Sequence, residues 1–594
     1  MTGAPLQESG DTVSLAIKVD GTAIDETVFV AEIEIETAAN RLPYARVVIS
    51  DGSLAEATFA VSASGDFAPG KEIEIALGYN ARTQKVFSGV IRSNALRLDP
   101  TGVTTLEIGC TDPAIELTLV RSSRLFTEET DADCLGEIIR NAGLKPKISM
   151  PGQKAEHRFQ HAASDWDYLM SRAEAAGCIV LAGDKTVTIE PPSFDEPVVS
   201  VSLGDGIALL EAEIDAAQQI PAVSAQSWDP ALQDRETRPA RDPGIAQSGP
   251  LDGKTLATAL KQPDMTLSTM APQASETLEA WAGGQLIRSR LSRLKGRVRF
   301  SGSALPRVGS QIELLGLGAA FNGVAWIGSV RHRMAPGSWL TEVRFGLDRA
   351  GFAETAARVS APAAAGLSPG IHGLQIATVL QVHEDPLDQN RIKVALPLVE
   401  GGDAGHWVRA AVPFAGQEAG IQFLPEVGDE VVLGFLQGDP DAAIMLGALH
   451  SPKRKQPIKA NEKNTQKAIV TTSGLRIVFD EEKKSLMLGT PGGQTVTLDD
   501  DASGIAITDT SGNSVTLNED GIKLESKGDL SLKASGTVSI DGKEFTGTAT
   551  GDLTLKGKNL NAEAQMGLTA KGAASAELSA SGAVTIKGLP VNLN

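Results

Sequence analysis

The chain has 594 residues, 42% apolar, 22% charged and only 4% aromatic, which is ample for several cores. Its three cysteines, Cys110, Cys134 and Cys178, lack CxxC spacing, which excludes a disulfide scaffold, a zinc ribbon and a thioredoxin-like motif and leaves them as small buried apolar residues. A formal net charge of −20 argues against gripping nucleic-acid phosphates or anionic lipid.

No apolar run approaches the length of a membrane-spanning helix, and the N-terminal MTGAPLQESGDTVS lacks the charged and apolar regions of a secretory signal. The expectation is cytoplasmic synthesis, with any exit by a route that needs no such signal. Residues 12–112 alternate apolar and polar with period two, as in TVSLAIKVDG, FVAEIEIETA and EIEIALGY, with Gly, Asp and Pro between them. That pattern predicts a sandwich or barrel. Thr130 with Asp133 predicts a capping box, a stripe of Leu135, Ile138 and Ile139 follows, and Gly143 ends the helix. Ser164 with Asp167 repeats the device, with Trp166, Leu169, Ala173 and Ala176 on one face and Gly177 as the stop. Both helices read as packing helices rather than interface helices.

Residues 223–275, rich in Pro, Gly and charge, show no period and read as a loose exposed insertion. A helix is expected over 275–295, with Arg288, Arg290, Arg293 and Lys295 forming a solvated face near its C-terminus. Residues 353–370, AETAARVSAPAAAGLSPG, read as an interdomain linker, with the break between domains expected at 361–370. Five short strands over 371–452 then fit an OB-fold barrel, and a second linker is expected over 453–470.

The last hundred residues carry an internal repeat. Pairs two residues apart recur at Ile522/Leu524, Leu530/Leu532, Val538/Ile540, Phe545/Gly547, Leu553/Leu555, Leu560/Ala562, Leu568/Ala570, Ala576/Leu578 and Val584/Ile586, in steps of 8, 8, 7, 8, 7, 8, 8 and 8 residues. Such pairs make a face and not a core. Eight residues span roughly 26 Å, one side of a small prism and too little for a single-chain solenoid coil of about 20 residues. Three chains wound together would supply three sides and leave no long exposed edge. A single-chain solenoid and a disordered Gly/Ser/Lys tail are the alternatives. Upstream, Val496/Leu498, Ile505/Ile507 and Val515/Leu517 are less evenly spaced, so a needle over 471–594 is expected to begin irregularly and become regular after 520.

At residues 420–449, GIQFLPEVGDEVVLGFLQGDPDAAIMLGAL, the chain resembles VgrG-type spike proteins of contractile injection systems, relatives of phage tail hub and spike proteins. The resemblance rests on Phe423, Pro425, Gly428, Asp429, Glu430, Val431, Gly438, Asp439, Pro440, Asp441 and Gly447. Trp407 and Arg409 match the Trp-x-Arg strand, and Arg391 to Pro397 the strand before it. CTDPAIELTLVRSSRLFTEETDADCLGEII and QHAASDWDYLMSRAEAAG resemble the family's hub domains. The opening strands look more like spikes of extracellular phage-tail-like particles than those of type VI secretion.

The resemblance implies a mainly β fold: tandem hub β-barrels with a few helices over 1–360, an OB barrel, and a C-terminal intertwined trimeric β-helix. It implies a non-enzymatic, membrane-puncturing spike, a homotrimer that engages tail tube and baseplate proteins. A tip protein of the PAAR type would seat on Leu589, Pro590, Val591, Asn592, Leu593 and Asn594, and effector cargo is a further partner. No cofactor, metal or nucleic acid is expected. The gap from Ser451 to Ala468 is too short for an inserted enzyme domain, and no HExxH, GxSxG or Walker A pattern occurs. The carboxylates of Asp439 and Asp441 read as turn residues. His157 and His161 are spaced for metal on a helix, but HRFQHAASD reads as strand then cap. A trimeric tail-fibre or adhesin-like protein is the alternative function.

Overall fold

The computed structural model describes residues 4–5, 12–52, 58–204, 206–245, 249–357 and 359–593. It divides into two units, residues 1–449 and 450–594.

The alternating segments near the N-terminus form strands of the first unit. Val13–Val19, Glu72–Tyr79, Arg82–Leu98, Thr104–Thr111, Tyr44–Ser50 and Val30–Ala38 are neighbours in that spatial order. Their inward residues, among them Ile33, Ile35, Val47, Ile75, Leu77 and Ile108, are fully buried in one core. Gly323–Ala335 pairs with Val30–Ala38, Arg331 opposite Glu36 and Met334 opposite Ile33. This pairing carries the same fourteen-stranded sheet into a second core, built on Val298, Phe300, Ile312, Leu314, Ile327 and Val343. The hub region expected as tandem barrels is thus one continuous sheet with two separate cores.

A helical layer adds a further core. Asp131–Asn141 begins with the expected capping box, Thr130 and Asp133 each bonding the other's backbone N–H. Asp165–Ala175 has half of one: Ser164 accepts from Asp167 N. Gly143 and Gly177 follow the two helices at φ +70° and +72°, the left-handed conformation a C-terminal stop favours. Leu135, Ile138, Ile139, Trp166, Leu169 and Ala173 share a core with Val180, Val187 and Ile189, so both are packing helices. Asn40 fastens this layer to the first sheet, its N–H donating to Val180 O and its Oδ1 accepting from Val180 N, both at 2.8 Å.

Residues 223–275 depart from expectation. Val223–Asp229, Asp234–Pro239 and Met265–Thr269 form a three-stranded sheet, and Gly253–Ala259 is a helix. Val223 and Ala225 alternate inward against Leu278, Ala282 and Leu286 of the Ser275–Leu291 helix. The core is so small, and its strands so polar on the outer face, that no period rises above the surrounding Pro and charge.

The helix expected to reach 295 stops at Leu291, because Leu294–Ser301 is a strand paired with both Ile207–Ile214 and Ser338–Phe345. Its arginines are not a solvated face. Arg290 and Arg293 are buried, and Arg288 pairs with Glu174 at 3.4 Å. The stretch 353–370 is likewise no free linker. Ala361 N donates to Ala162 O, Ile371 N donates to Gly438 O, and Ala364 is buried; alanines this small give no hydropathy signal for docking.

Five strands close into a barrel in the order Gln375–Gln381, Arg391–Ala395, His406–Ala410, Ala443–Leu449, Glu430–Phe435. Val379, Ile392, Val394, Val408, Val431, Leu433 and Met445 fill it. In the second unit, Gln466–Val470, Arg476–Asp480, Ser485–Gly489, Thr495–Asp499, Gly504–Thr508, Ser514–Asn518 and Gly521–Glu525 form a seven-stranded antiparallel meander in chain order. Residues 526–593 carry no helix or strand and are exposed throughout apart from Ser526, which is half-buried.

Candidate functional site: an uncovered apolar ladder

The meander is amphipathic to an unusual degree. Register partners in an antiparallel sheet point to the same face, as do residues two apart. One column therefore runs Ile469, Ile477, Leu488, Val496, Ile507, Val515, Leu524. The column beside it, on the same face, runs Lys467, Phe479, Leu486, Leu498, Ile505, Leu517, Ile522. Only Lys467 is polar, and its Nζ turns aside to Asn464 O and Glu481. The opposite face carries Ala468, Val478, Met487, Thr497, Ala506, Thr516 and Lys523.

This apolar face is roughly 29 Å across, six gaps of about 4.8 Å. No hydrophobic core cluster includes any described residue after Met445. Phe479, Leu488, Leu498, Ile505 and Ile507 all remain exposed. Half-covered aliphatic side chains each stand to gain about 1 kcal/mol from full burial, so the ladder is a strong driving force for association.

Ile522 and Leu524, the first octad pair, are the last rungs of the two columns. The irregular start expected over 470–520 is in fact this regular meander, with its own period. Gly474, Gly493 and Gly512 recur every 19 residues, each with positive φ (+86°, +93°, +86°) at the tip of a hairpin. Ile477/Phe479, Val496/Leu498 and Val515/Leu517 follow each at the same offset. This 19-residue signal was available in the sequence but is masked by pairs that run in opposite directions along alternate strands. The tight turn between Asn518 and Gly521 shortens the last hairpin and marks the change to a step of eight.

Beyond it, Leu530, Leu532, Val538, Ile540, Leu553, Leu555, Leu568, Leu578, Val584 and Ile586 are 47% to 75% exposed. No single-chain solenoid forms among the described residues, since the sheet ends at Glu525. Leu589 and Leu593 at the far end are also exposed, with Pro590, Val591 and Asn592 between them; Asn594 lies outside the described residues.

The barrel motif residues act as scaffold and do not converge on a reactive centre. Trp407 sits opposite Lys393, with the Arg391 guanidinium 6.0 Å from its ring centroid. Arg391 itself is held by Asp385, which also accepts backbone N–H bonds from Leu387, Gln389 and Arg391; these donors keep the Asp385 carboxyl far below the usual range. Arg409 is exposed on the same strand as Trp407. Gly428 (φ +86°) donates to Val379 O, pinning the turn between Pro425 and Glu430. Asp439 Oδ1 accepts from Asp441 N at 3.0 Å, and Gly438 (φ +71°) and Pro440 complete that turn. Gly447 faces Val432 at a register shift in the barrel wall.

Cys110, Cys134 and Cys178 are all buried, and burial pushes their thiols up to about 12. His157 and His161 lie on the Ala155–Ser164 strand, where His161 stacks on Phe159. Among the described residues no group of three His, Cys, Asp or Glu is arranged to hold a metal, and no helix is long and apolar enough to cross a membrane.

Residues 375–450 match the family described as the type VI secretion system/phage-baseplate injector OB domain, and residues 485–546 match the phage baseplate V C-terminal trimerisation domain. The latter spans five of the seven ladder strands and the first octads. The chain is 33% identical over 110 residues to the type VI secretion system spike protein VgrG3 of Vibrio cholerae, 17% of this chain and 11% of that protein. It is 28% identical over 110 residues to the actin cross-linking toxin VgrG1 of the same species, 17% of this chain and 10% of that protein. The chain thus spans about a tenth of the length of these curated relatives. A tail protein from Neisseria meningitidis MC58 aligns over 57% of this chain and 97% of its own with 14% identity and a TM-score of 0.42. Residues 9–336, more than half of the chain, match the Alg8 N-terminal domain: the chain belongs to that family, and it joins this domain to a baseplate-type OB barrel and a trimerisation domain.

Proposed function

We propose that the chain is the central spike and hub of a contractile injection machine and works as a homotrimer. The observation that carries this reading is the two-column apolar ladder that runs from Ile469 to Leu524 and passes without interruption into the exposed octad pairs. One chain offers one face. Two further copies would cover it, each supplying a wall of a prism whose axis is lined by the aliphatic columns. Small axial residues such as Gly547, Ala562, Ala570 and Ala576 suit a narrow shaft. Continuous interchain hydrogen bonding along 526–593 would give the stiffness a puncturing needle needs.

In this reading the N-terminal sheet engages tail tube and baseplate proteins, and the OB barrel precedes the shaft in the chain. The end at Leu589 to Asn594 seats a PAAR-type tip protein, and effector cargo rides with the particle out of the producing cell. The role is mechanical rather than catalytic, and contact with the target membrane is transient. The test is the solution mass of the full chain by light scattering, beside a chain ending at His450. About 186 kDa for the full chain, three times 62.0 kDa, with a lower multiple for the shortened one, supports the reading. A full chain at 62.0 kDa overturns it.

A further inference from the structure

Arg290 and Arg293, at the C-terminal end of the Ser275–Leu291 helix and just beyond it, are 7% and 3% exposed. Arg290 donates from Nη1 to Ile220 O at 2.9 Å and from Nη2 to Pro221 O at 3.4 Å, and Arg293 donates from Nη1 to Leu251 O at 3.0 Å. Neither guanidinium is within ion-pair distance of a carboxylate among the described residues. Asp242 and Asp252 act on Arg290, and Asp252 on Arg293, only from further away. The Asp252 carboxylate is already engaged, accepting from Thr255 N at 2.6 Å. Two buried cations held by neutral carbonyls alone are costly.

Both arginines line a cavity of about 40 Å³ together with Trp326 and Gln311. Trp326 is 4% exposed, and its indole N–H has no hydrogen-bond acceptor. An orphaned buried donor in a native core is rare and costs roughly 1–3 kcal/mol. The Gln311 side-chain amide donates to Asp195 O, and Phe194, Leu291 and Ala325 supply apolar wall. What converges on the cavity is therefore positive charge and an unanswered N–H. The volume is enough for one chloride-sized ion, since a site for one water needs only roughly 10–15 Å³.

We propose that this cavity binds a small inorganic anion of chloride size, held by Arg290, Arg293 and the Trp326 indole N–H. The ion joins the end of the Ser275–Leu291 helix to the Gly323–Ala335 strand, and the same arginines hold Ile220, Pro221 and Leu251 through their carbonyls. It supplies the negative charge that the two guanidiniums otherwise lack.

The test uses the full chain in sodium chloride against sodium gluconate at matched ionic strength, gluconate being too large for the cavity. The expected result is a saturable rise in melting midpoint of about 3 °C with chloride, at least halved in Trp326→Phe, which keeps the ring and removes the donor. Crystals grown in bromide are expected to show an anomalous peak between the two guanidiniums; this second readout stands whether or not the variant folds. Equal midpoints in the two salts, an undiminished chloride effect in Trp326→Phe, or a cavity without bromide would each overturn the proposal.

Discussion

Leu488 and Ile477 stand directly opposite one another on adjacent strands of the meander, on its apolar face, and Leu488 is exposed. The pair forms the second and third rungs of a column seven strands long, so a charge placed there interrupts the surface. Leu488→Lys is expected to shift the full chain from a trimer toward monomer in light scattering at micromolar concentration. Thr497→Lys, on the opposite face, is expected to leave the mass unchanged. Equal behaviour of the two variants would sink the assignment of the interface to this face.

Asp131 accepts from Arg172 Nε at 2.7 Å and Nη2 at 2.8 Å, and Arg158 Nη1 lies at 3.3 Å. Asp131 and Arg172 link the start of one packing helix to the end of the other. Asp131→Ala leaves two guanidiniums facing an apolar layer, and a loss of about 3 kcal/mol in denaturant unfolding is expected. The cost is expected to exceed that of Glu211→Ala, which breaks a solvent-screened pair with Arg297.

Gly177 and Gly284 meet where the turn after one helix touches the middle of another. A Cβ on Gly284 would lie 2.6 Å from the Gly177 Cα. Gly284→Ala is therefore expected to cost about 2 kcal/mol through forced separation, despite alanine's better helix propensity. Gly283→Ala, whose added methyl meets open space, is expected to be neutral or slightly stabilising in the same melt.

His332 is buried against Trp339, with Nδ1 3.0 Å from the Thr341 hydroxyl, and burial lowers its pKa to about 4. The folded state then binds fewer protons than the unfolded chain between the unfolded value near 6.5 and the folded value of about 4. Stability is present above that window and is lost as pH falls through it, by up to about 3 kcal/mol. His332→Gln is expected to flatten that part of the stability profile; an unchanged slope from pH 6.5 to 4 would show that another group titrates there.

Asp112 has the opposite sign. Its Oδ1 accepts from Ala114 N, its Oδ2 has no partner, and burial raises its pKa to about 6. A carboxyl whose folded pKa is raised costs stability as pH rises from about 4 through 6. Asp112→Asn keeps the accepting oxygen and removes the charge. It is expected to gain about 1–2 kcal/mol at pH 8 and nothing near pH 3.

Much of the architecture was legible because it is written in local periodicity. The Thr130 capping box, the stops at Gly143 and Gly177 and the barrel strands each depend on residues within a turn or a strand of one another, and each stands where the pattern put it. The small sheet at 223–269 was not legible, since its core consists of a few residues whose partners lie on a helix some fifty positions later. The burial of Arg290 and Arg293 was hidden for a related reason: arginine at a helix C-terminus looks solvated until the segments that cover it are placed.

By itself the sequence determined that the C-terminal part repeats pairs of aliphatics two apart at steps of seven or eight, because that pattern is local and reads as a face on short strands. It also determined the barrel, whose alternation and turns are short-range. Tertiary structure decided that the stretch expected to start irregularly from 471 is a regular ladder beginning near residue 467, since strands running in opposite directions align into columns only once the register is known. It alone brought two guanidiniums and an unanswered indole N–H to one cavity, because a site built from three distant segments leaves no spacing in the chain to read.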